Sequence, residues 1–206
     1  MVNIAGMIKA IYLDLGRVLI DIDLNVAIRG LEKATSWPLS DIAQFLNGEL
    51  IQEYELGRIS TDIFYRTFCE SLQTIIPVEE FKTLWSEIFV TEPLLSESFL
   101  QSLARNYPLH LLSNTNELHY DFVVSRYPLL RHFKERVLSF QVGRMKPQKE
   151  IYQVAIERSR VGAAEIFFSD DRPENVEGGL AVGIQAVQFH NEAQLKQDMR
   201  KAGIVF

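Results

Sequence analysis

The sequence predicts an α/β fold in which a parallel β-sheet is sandwiched by helices and an all-helical segment follows the first strand. Two observations support this prediction. Short apolar runs recur along the chain with helical patterns between several of them, and such runs are typical of strands buried on both faces of a parallel sheet. Residues 24–93, in contrast, contain no convincing strand.

The apolar runs give the expected strands in chain order. They are AIYL at residues 10–13, HLLS at 110–113, VLSF at 137–140, IFFS at 166–169 and AVQF at 186–189. Between the first two runs, glycines and prolines separate several amphipathic helices, for which Ser40 and either Ser60 or Thr61 are expected caps. After the last run, Asn191 is expected to cap a helix that Gly203 ends, with Gln194 three residues after the cap.

These patterns divide the chain into two domains. Residues 1–23 and 94–206 are expected to form the core domain that contains the sheet, and residues 24–93 are expected to form a helical insert. The insert has 11 acidic and 5 basic residues, whereas the core has equal numbers of each, so the insert carries the whole net charge. A solvated helical surface is the simplest interpretation of this excess.

Composition excludes several functional classes. With 47% hydrophobic and 23% charged residues, the chain is typical of a globular protein. Its net charge of -6 argues against a nucleic-acid or anionic-membrane partner. The single cysteine, Cys69, fits a reducing compartment, and no apolar run reaches the roughly 20 residues that span a bilayer. We therefore expect a cytoplasmic protein that acts on a small molecule, with its oligomeric state left open.

Chemically versatile residues lie at the ends of four expected strands. They are Asp14, Leu15 and Gly16 after the first run, Ser113 and Asn114 in the second, Lys146 after the third, and Asp170 and Asp171 after the fourth. Each alone is more often a turn, a helix cap or a solvated charge. Ligands of parallel sheets bind at the carboxyl ends of strands, so the joint occurrence of these residues predicts one site.

Together these residues supply the parts of a phosphoryl-transfer site. Asp14 can attack phosphorus as a nucleophile, while Ser113 and Lys146 can hold the phosphate oxygens. Asp171, with Asp14 and a backbone carbonyl, can hold Mg²⁺, which prefers hard oxygen ligands. The metal is essential to this scheme, because an unshielded aspartate repels a phosphate dianion.

The order Asp, Ser, Lys, Asp-Asp resembles the four motifs of the haloacid dehalogenase-like superfamily, with the insert in the place of its type 1 cap. The resemblance covers essentially the whole chain. Within the superfamily, the sequence is similar to the α-D-glucose-1-phosphate phosphatase branch. The motifs that carry this similarity are LDLGRVLIDID, GELIQEYELGRIS, LLSNTNELH, GRMKPQKEIY and FFSDDRPEN.

The resemblance implies a Rossmann-like core, Mg²⁺ dependence and a phosphoaspartyl intermediate on Asp14. It also implies that Asp14, the Gly16 backbone carbonyl and Asp171 bind the metal, and that Asp170 supports Lys146 or a metal-bound water. The cap would cover the site and select the leaving group. The residues that we expect to contact the substrate phosphate are Leu15, Gly16, Ser113, Asn114 and Lys146.

The sequence departs from the superfamily pattern at Gly16, where most of its phosphatases carry an aspartate that serves as general acid and base. Such a group typically contributes a factor of roughly 10² to 10⁴ in rate. The loss matters less for a leaving oxygen that is easily expelled, such as the anomeric oxygen of α-D-glucose 1-phosphate. We therefore hypothesise that Gly16 and an anomeric phosphate substrate belong together.

Other residues are weaker candidates for the missing acid. Asp21 and Asp23 lie after the first strand, and His119 follows Ser113, but flap carboxylates and a helix histidine are more often structural. Arg17 can contact the substrate or pair with a carboxylate of the insert, and the sequence does not decide between them. Three aromatic residues of the insert are candidates for a sugar pocket or for the insert's own core, namely Phe45, Tyr54 and Trp85.

Two alternatives to a phosphatase remain open. A 2-haloacid dehalogenase uses the same aspartate to attack carbon without a metal, although the paired aspartates argue for a cation. A phospholigand-binding regulatory protein that lost turnover through Gly16 is the other alternative. The retained Asp14, Lys146 and Asp171 weigh against it, because binding alone does not require a nucleophile.

Overall fold

The α/β fold is confirmed by a computed structural model, which describes residues 7–35, 37–38, 41–42 and 48–206. The strands of the described residues are β1 (Ala10–Leu13), β2 (Ile20–Ile22), β3 (Phe89–Pro93), β4 (Leu109–Ser113), β5 (Phe133–Leu138), β6 (Ile166–Asp170) and β7 (Gln185–Gln188). The α-helices are α1 (Leu24–Thr35), α2 (Glu49–Glu55), α3 (Thr61–Ser71), α4 (Val78–Ser86), α5 (Glu97–Asn106), α6 (Glu117–Arg126), α7 (Ser139–Val142), α8 (Lys149–Ser159), α9 (Pro173–Ala181) and α10 (Glu192–Lys201). Short 3₁₀-helices precede β5 and β6, at Pro128–His132 and Ala163–Glu165.

The central sheet is parallel throughout and has the strand order β5-β4-β1-β6-β7. Side chains of a strand alternate between its two faces, and each face of this sheet has its own apolar core. Leu13 and Leu111 belong to one core, and Tyr12 and Leu112 to the other. Burial on both faces explains the apolar runs. Because β1 lies between β4 and β6, the carboxyl ends of these three strands are neighbours.

Only the first half of the run VLSF lies in a strand, so the prediction of a strand at residues 139–140 is wrong. Val137 and Leu138 end β5, whereas Ser139 begins α7. The strand starts earlier, at Phe133, where Lys134 is exposed. β5 lies at the edge of the sheet, and an edge strand tolerates charged residues that a search for uniformly apolar runs does not detect.

The described part of the insert is largely helical, as predicted, and has a core of its own. Tyr54 stacks on Phe64 with ring centroids 4.4 Å apart, and Trp85 packs edge-on against Phe64 at 4.8 Å. All three side chains belong to a cluster that is distinct from the two clusters covering the sheet. A separate core is what an independent helical layer requires. The domain boundaries at residues 23 and 93 stay a prediction.

The prediction that residues 24–93 contain no strand is wrong at their end. Phe89–Pro93 forms β3, which pairs antiparallel with β2, and Ile22 lies opposite Phe89. The pair lies where the chain leaves the core domain and returns to it. A strand of this length has little periodicity, and its partner is remote in sequence, so local patterns did not reveal it.

The predicted helix caps at Ser60 and Asn191 are confirmed, with Ser60 rather than Thr61 in the cap position, whereas Ser40 lies outside the described residues. The Ser60 side chain accepts a hydrogen bond from the Ile63 backbone, and the Asn191 side chain accepts one from Gln194 at 2.9 Å. Gly203 adopts a left-handed conformation just beyond the end of α10, as expected for a glycine that ends a helix. Among the helices that the structure describes, none combines the length and apolar character needed to cross a bilayer.

Gly57 lets the insert approach the core more closely than any other residue would. Gly57 and Gly143 have the same φ of 65°, but a Cβ atom at Gly57 would lie 2.0 Å from the backbone oxygen of Phe140. At Gly143 the nearest such contact is 4.0 Å, to the Leu56 oxygen. The loop after α2 therefore rests directly on the backbone of α7.

This difference predicts unequal effects of two alanine substitutions. Gly143→Ala costs roughly 1–2 kcal/mol for the left-handed backbone alone. Gly57→Ala has the same backbone cost and adds an overpacking cost of about 1–3 kcal/mol, since a backbone oxygen cannot rotate away. Denaturant unfolding of both variants measures the difference. Equal destabilisation would contradict the close contact between Gly57 and Phe140.

Candidate active site

The carboxyl ends of β1, β4 and β6 bring the predicted residues into one site. Asp14 directly follows β1, Ser113 ends β4, and Asp170 ends β6 with Asp171 next to it. Lys146 reaches the same point from the loop between α7 and α8. The strand order accounts for this convergence, because β4 and β6 both pair with β1.

A buried lysine joins two of these carboxylates. The Lys146 ammonium lies 2.9 Å from Asp14 Oδ1 and 2.5 Å from Asp170 Oδ2, and it donates a hydrogen bond of 2.9 Å to the Leu112 carbonyl. An ammonium has three donors, so all of them have acceptors. Burial alone lowers the pKa of Lys146, but the two carboxylates outweigh this effect and raise it. The lysine is therefore a fixed cation at the site.

Asp170 contacts Lys146 and is enclosed by other protein donors. It is completely buried, and its second oxygen, Oδ1, accepts hydrogen bonds of 2.9 Å from the Arg172 backbone and from Asn175 Nδ2. With Lys146 on the other oxygen, both oxygens of this carboxylate have protein donors. Asp171 differs, because its side chain is only partly buried and lines the cavity above the sheet.

One oxygen from each of Asp14, Asp170 and Asp171 lies within 4.8 Å of the others. Burial is the main reason that the pKa of Asp14 rises to about 7, with Lys146 opposing the rise and Asp170 adding to it. Burial and Asp170 also raise the pKa of Asp171. Lys146 contacts Asp14 and Asp170, whereas Asp171 is influenced by Arg17 and more weakly by Lys146. The donor set fits a hard divalent cation, which would offset the excess negative charge.

The remaining predicted phosphate ligands lie around Asp14. Ser113 is buried and lines the cavity, and its hydroxyl makes only a long contact of 3.4 Å to the Asn114 carbonyl. The Asn114 side chain is instead committed to the backbone of Lys146, accepting from its N–H at 2.8 Å and donating to its carbonyl at 2.9 Å. Asn114 therefore positions Lys146. Because its side chain is used in this way, only the backbone of Asn114 is left to contact a phosphate.

Leu15 and Gly16 shape the turn after β1. The Leu15 side chain is buried, and its backbone N–H donates to Asp14 Oδ1 at 2.7 Å. At Gly16, a Cβ atom would lie 2.5 Å from Ile22 Cδ1. The space beside Gly16 is thus occupied by the end of a side chain from β2, which would have to move to admit the usual aspartate.

The weaker acid candidates have local partners. Asp21 accepts from the Ile22 backbone at 2.8 Å, and Asp23 accepts from the backbone and side chain of Asn25, both at 2.9 Å. Asp21 lines a neighbouring cavity, together with Arg17 and Asp171, and is not among the residues that line the central one. Arg17 is exposed and lines both cavities.

His119 links the core to the insert as a neutral side chain. Its Nε2 donates to the Trp85 carbonyl at 2.9 Å, and its Nδ1 accepts from Asn116 at 3.1 Å. The ring also stacks on Trp85, with centroids 5.4 Å apart. Burial lowers the pKa of His119 to about 4. Both ring nitrogens therefore have hydrogen-bond partners, and the ring is uncharged near neutral pH.

The site opens into a cavity of about 990 Å³ between the core and the insert. Trp85 lines it, whereas Tyr54 is buried in the insert core, and Phe45 lies outside the described residues. Glu55, at the end of α2, also lines the cavity and was not identified from the sequence. Its position between Tyr54 and Leu56, both buried, is the signal that could have revealed it.

Comparison with known proteins gives a consistent result. Residues 8–183 match the family described as haloacid dehalogenase-like hydrolase. The chain is 30% identical to the D-ribitol-5-phosphate phosphatase of Bacteroides thetaiotaomicron, and the match covers 94% of this chain and 97% of that protein.

Solved structures of a HAD family enzyme from Bacteroides thetaiotaomicron are also similar. One has a TM-score of 0.86 at 24% identity and covers 95% of this chain and 100% of its own, which shows the shared fold. The other is a complex with magnesium and inorganic phosphate, with a TM-score of 0.81 at 25% identity, covering 90% of this chain and 96% of its own.

The buried lysine predicts a pH-dependent stability. In metal-free protein, Lys146→Met leaves two buried carboxylates without a cation, which costs about 3–5 kcal/mol when both are ionised. An acid whose pKa is raised by folding stabilises the folded state at low pH and loses this contribution as pH rises through its pKa. The destabilisation should therefore grow between pH 5 and pH 8, as measured by urea unfolding in EDTA.

Lys82→Met is the matched control for this measurement. Lys82 pairs with Glu79 at the surface of the insert, 2.7 Å apart. Loss of an exposed pair of this kind costs no more than about 1 kcal/mol. A Lys146→Met variant as stable as the control at pH 8 would show that the buried cluster carries little net charge.

Proposed function

The chain belongs to the haloacid dehalogenase-like hydrolase family, and from this premise we propose that it is a Mg²⁺-dependent phosphatase of a small sugar phosphate such as α-D-glucose 1-phosphate. The observation that carries the proposal is the cluster of Asp14, Lys146, Asp170 and Asp171 at the strand ends. It combines a carboxylate that can act as nucleophile, a fixed cation and an oxygen-rich site for a metal. The 30% identical relative named for a phosphatase activity supports the same reaction class.

In the proposed reaction, Asp14 attacks the phosphorus and forms a phosphoaspartyl intermediate, with departure of the alcohol. Among the residues that the structure describes, the donors to Asp14 contact Oδ1, so Oδ2 is the oxygen available for attack. Lys146 compensates charge on the phosphoryl group, and the Ser113 hydroxyl, which has no short hydrogen bond within the described residues, donates to a phosphate oxygen. Water then hydrolyses the intermediate and restores Asp14.

Asp14, Asp171 and the Gly16 backbone carbonyl would hold Mg²⁺. When bound, the metal offsets negative charge of the carboxylates and the substrate phosphate. Asp170 keeps its supporting role, because both of its oxygens already accept protein hydrogen bonds. The complex of the similar HAD enzyme with magnesium and inorganic phosphate supports the use of Mg²⁺.

The leaving group follows from residue 16 and from the cavity. Since Gly16 provides no acid, an easily expelled anomeric oxygen is favoured over a primary alkoxide. The relative named D-ribitol-5-phosphate phosphatase suggests a second candidate substrate, a primary phosphate whose leaving group has a similar polarity. Both leaving groups are neutral and rich in hydroxyls, which agrees with the acidic insert above the site.

A phosphatase screen tests the proposal directly. We expect release of phosphate from α-D-glucose 1-phosphate with Mg²⁺ but not with EDTA, and a loss of roughly a thousandfold or more in Asp14→Asn, because the nucleophile is removed. The isomer glucose 6-phosphate and D-ribitol 5-phosphate complete the substrate set. Much faster hydrolysis of the primary phosphates would contradict the link between Gly16 and an anomeric substrate.

The same samples distinguish the alternative functions. Dehalogenation of a 2-haloacid that persists in EDTA would favour the metal-independent dehalogenase. Tight, Mg²⁺-dependent binding of sugar phosphates without turnover would favour a regulatory binding protein. Activity that survives in Asp14→Asn would contradict the proposed mechanism.

Metal binding has its own readout in thermal stability. A ligand present at one hundred times its dissociation constant stabilises the folded state by about 2.7 kcal/mol, so Mg²⁺ should raise the melting temperature. Asp171→Asn removes a proposed ligand and should lose most of this shift. Glu174→Gln removes an exposed carboxylate that pairs with Arg172 instead, and should keep the shift. An unchanged shift in Asp171→Asn would contradict the assignment.

A further inference from the structure

Residue 16 cannot supply the proton that a poor leaving oxygen needs. Gly16 lacks a side chain, and Ile22 fills the space where one would begin. Without a proton, expulsion of an alkoxide is slow, because the negative charge on the departing oxygen is left unneutralised. A different acid must therefore reach the cavity if the enzyme hydrolyses ordinary alkyl phosphates.

Among the titratable residues that line the described cavity, Glu55 is the one free to serve. Asp14, Lys146 and Asp171 belong to the nucleophile and metal site, and His119 is neutral with both nitrogens occupied. The exposed Glu49 lies at the other end of the same helix. Within the part of the chain that the structure describes, no cation lies within ion-pair distance of the Glu55 carboxylate.

The contacts on either side of Glu55 fix it relative to the core. The Tyr54 hydroxyl accepts a hydrogen bond from the Leu118 backbone of α6 at 3.3 Å. Two residues beyond Glu55, the backbone of Gly57 rests against the carbonyl of Phe140. Thr61, which also bonds Tyr54 at 2.8 Å, donates to Glu117 of α6 at 2.7 Å. The end of α2 is thereby held against the rim of the site.

The surroundings of Glu55 keep its proton available near neutral pH. Burial raises the pKa of Glu55 to about 7, while Arg172 at the start of α9 and Lys146 both lower it. The residue also ends α2, where the helix dipole disfavours a negative charge. The other charged groups that line the cavity are Arg17, Glu49, Asp14 and Asp171.

We propose that Glu55 is the general acid and base of this enzyme, supplied by the insert in place of the missing aspartate at residue 16. As Asp14 forms its bond to phosphorus, the bond from phosphorus to the leaving oxygen breaks, and that oxygen takes the Glu55 proton. In the second step, the Glu55 carboxylate accepts a proton from the water that attacks the phosphoaspartyl group. Asp14, inorganic phosphate and protonated Glu55 result.

This assignment rests on the proposed phosphatase function and widens its substrate class. With a proton donor in the insert, primary phosphates of sugars and polyols become substrates, while anomeric phosphates remain the easier ones to hydrolyse. Glu55 can protonate a leaving oxygen only when the bound substrate places that oxygen next to the end of α2. Protonation of the leaving group therefore depends on how the substrate binds beneath the insert.

Two hydroxyl-free substrates of similar size separate acid catalysis from recognition of sugar hydroxyls. Benzyl phosphate releases a poor leaving group, whereas p-nitrophenyl phosphate releases a stabilised phenolate that needs no proton. In Glu55→Gln, we expect kcat/KM for benzyl phosphate to fall by roughly 10²- to 10⁴-fold. For p-nitrophenyl phosphate, we expect little change in kcat/KM, because this constant reports only the first step, and its retention also shows that the variant is folded. Its kcat should fall, because the second step has lost its base.

Glu53→Gln is the matched control, because Glu53 lies on the same helix but pairs with Arg58 at 2.6 Å and does not line the cavity. It should hydrolyse both substrates like the parent enzyme. Equal losses of kcat/KM for both substrates in Glu55→Gln, or no loss of kcat/KM for either, would overturn the assignment.

The outcomes also separate this inference from the proposed function. If the parent enzyme hydrolyses neither substrate with Mg²⁺, or if Asp14→Asn remains active, the phosphatase mechanism itself fails. If both substrates are hydrolysed through Asp14 but Glu55→Gln shows no dependence on the leaving group, only the role of Glu55 fails.

Discussion

The Lys146 ammonium between two buried carboxylates is the interaction on which the site depends. Removing one partner from such a cluster costs about 3–5 kcal/mol, because an uncompensated charge is left in a poorly solvated place. The surrounding chain is arranged to hold the lysine there. The Leu112 carbonyl accepts a hydrogen bond from the Lys146 ammonium, and the Asn114 side chain hydrogen-bonds to both the N–H and the carbonyl of the Lys146 backbone. Asp14 is thereby fixed at the end of β1 with one oxygen free.

The same cluster explains why the core alone is an incomplete enzyme. Its charges serve the phosphoryl group, and the donors around Asp170 are fully used, so the core residues that flank Asp14 leave no acid for the leaving oxygen. The insert closes the other side of the cavity. Its contacts with the core involve backbone groups, at Gly57 against Phe140 and at Trp85 against His119, which restrict where the end of α2 can lie.

Much of this arrangement could be predicted from the sequence. Uniformly apolar runs identified the inner strands, and the residues that end them identified the cluster, because parallel strands place their carboxyl ends together. β3 and the start of β5 could not be found this way, since one depends on a remote partner and the other is an edge strand. Asn114 illustrates a further limit: its position predicts proximity to phosphate, but only the three-dimensional contacts show that its side chain holds Lys146.

Glu55 escaped detection for a related reason, and its location has a consequence for specificity. In the sequence it is one of several acidic residues in an acidic insert, and its position between Tyr54 and Leu56, both buried, is a weak local signal. When the acid is attached to the strand that carries the nucleophile, every bound phosphate meets it. With the acid on α2, a leaving oxygen is protonated only if the rest of the leaving group fills the cavity beneath the insert. Selection of the substrate and protonation of its oxygen then depend on the same contacts.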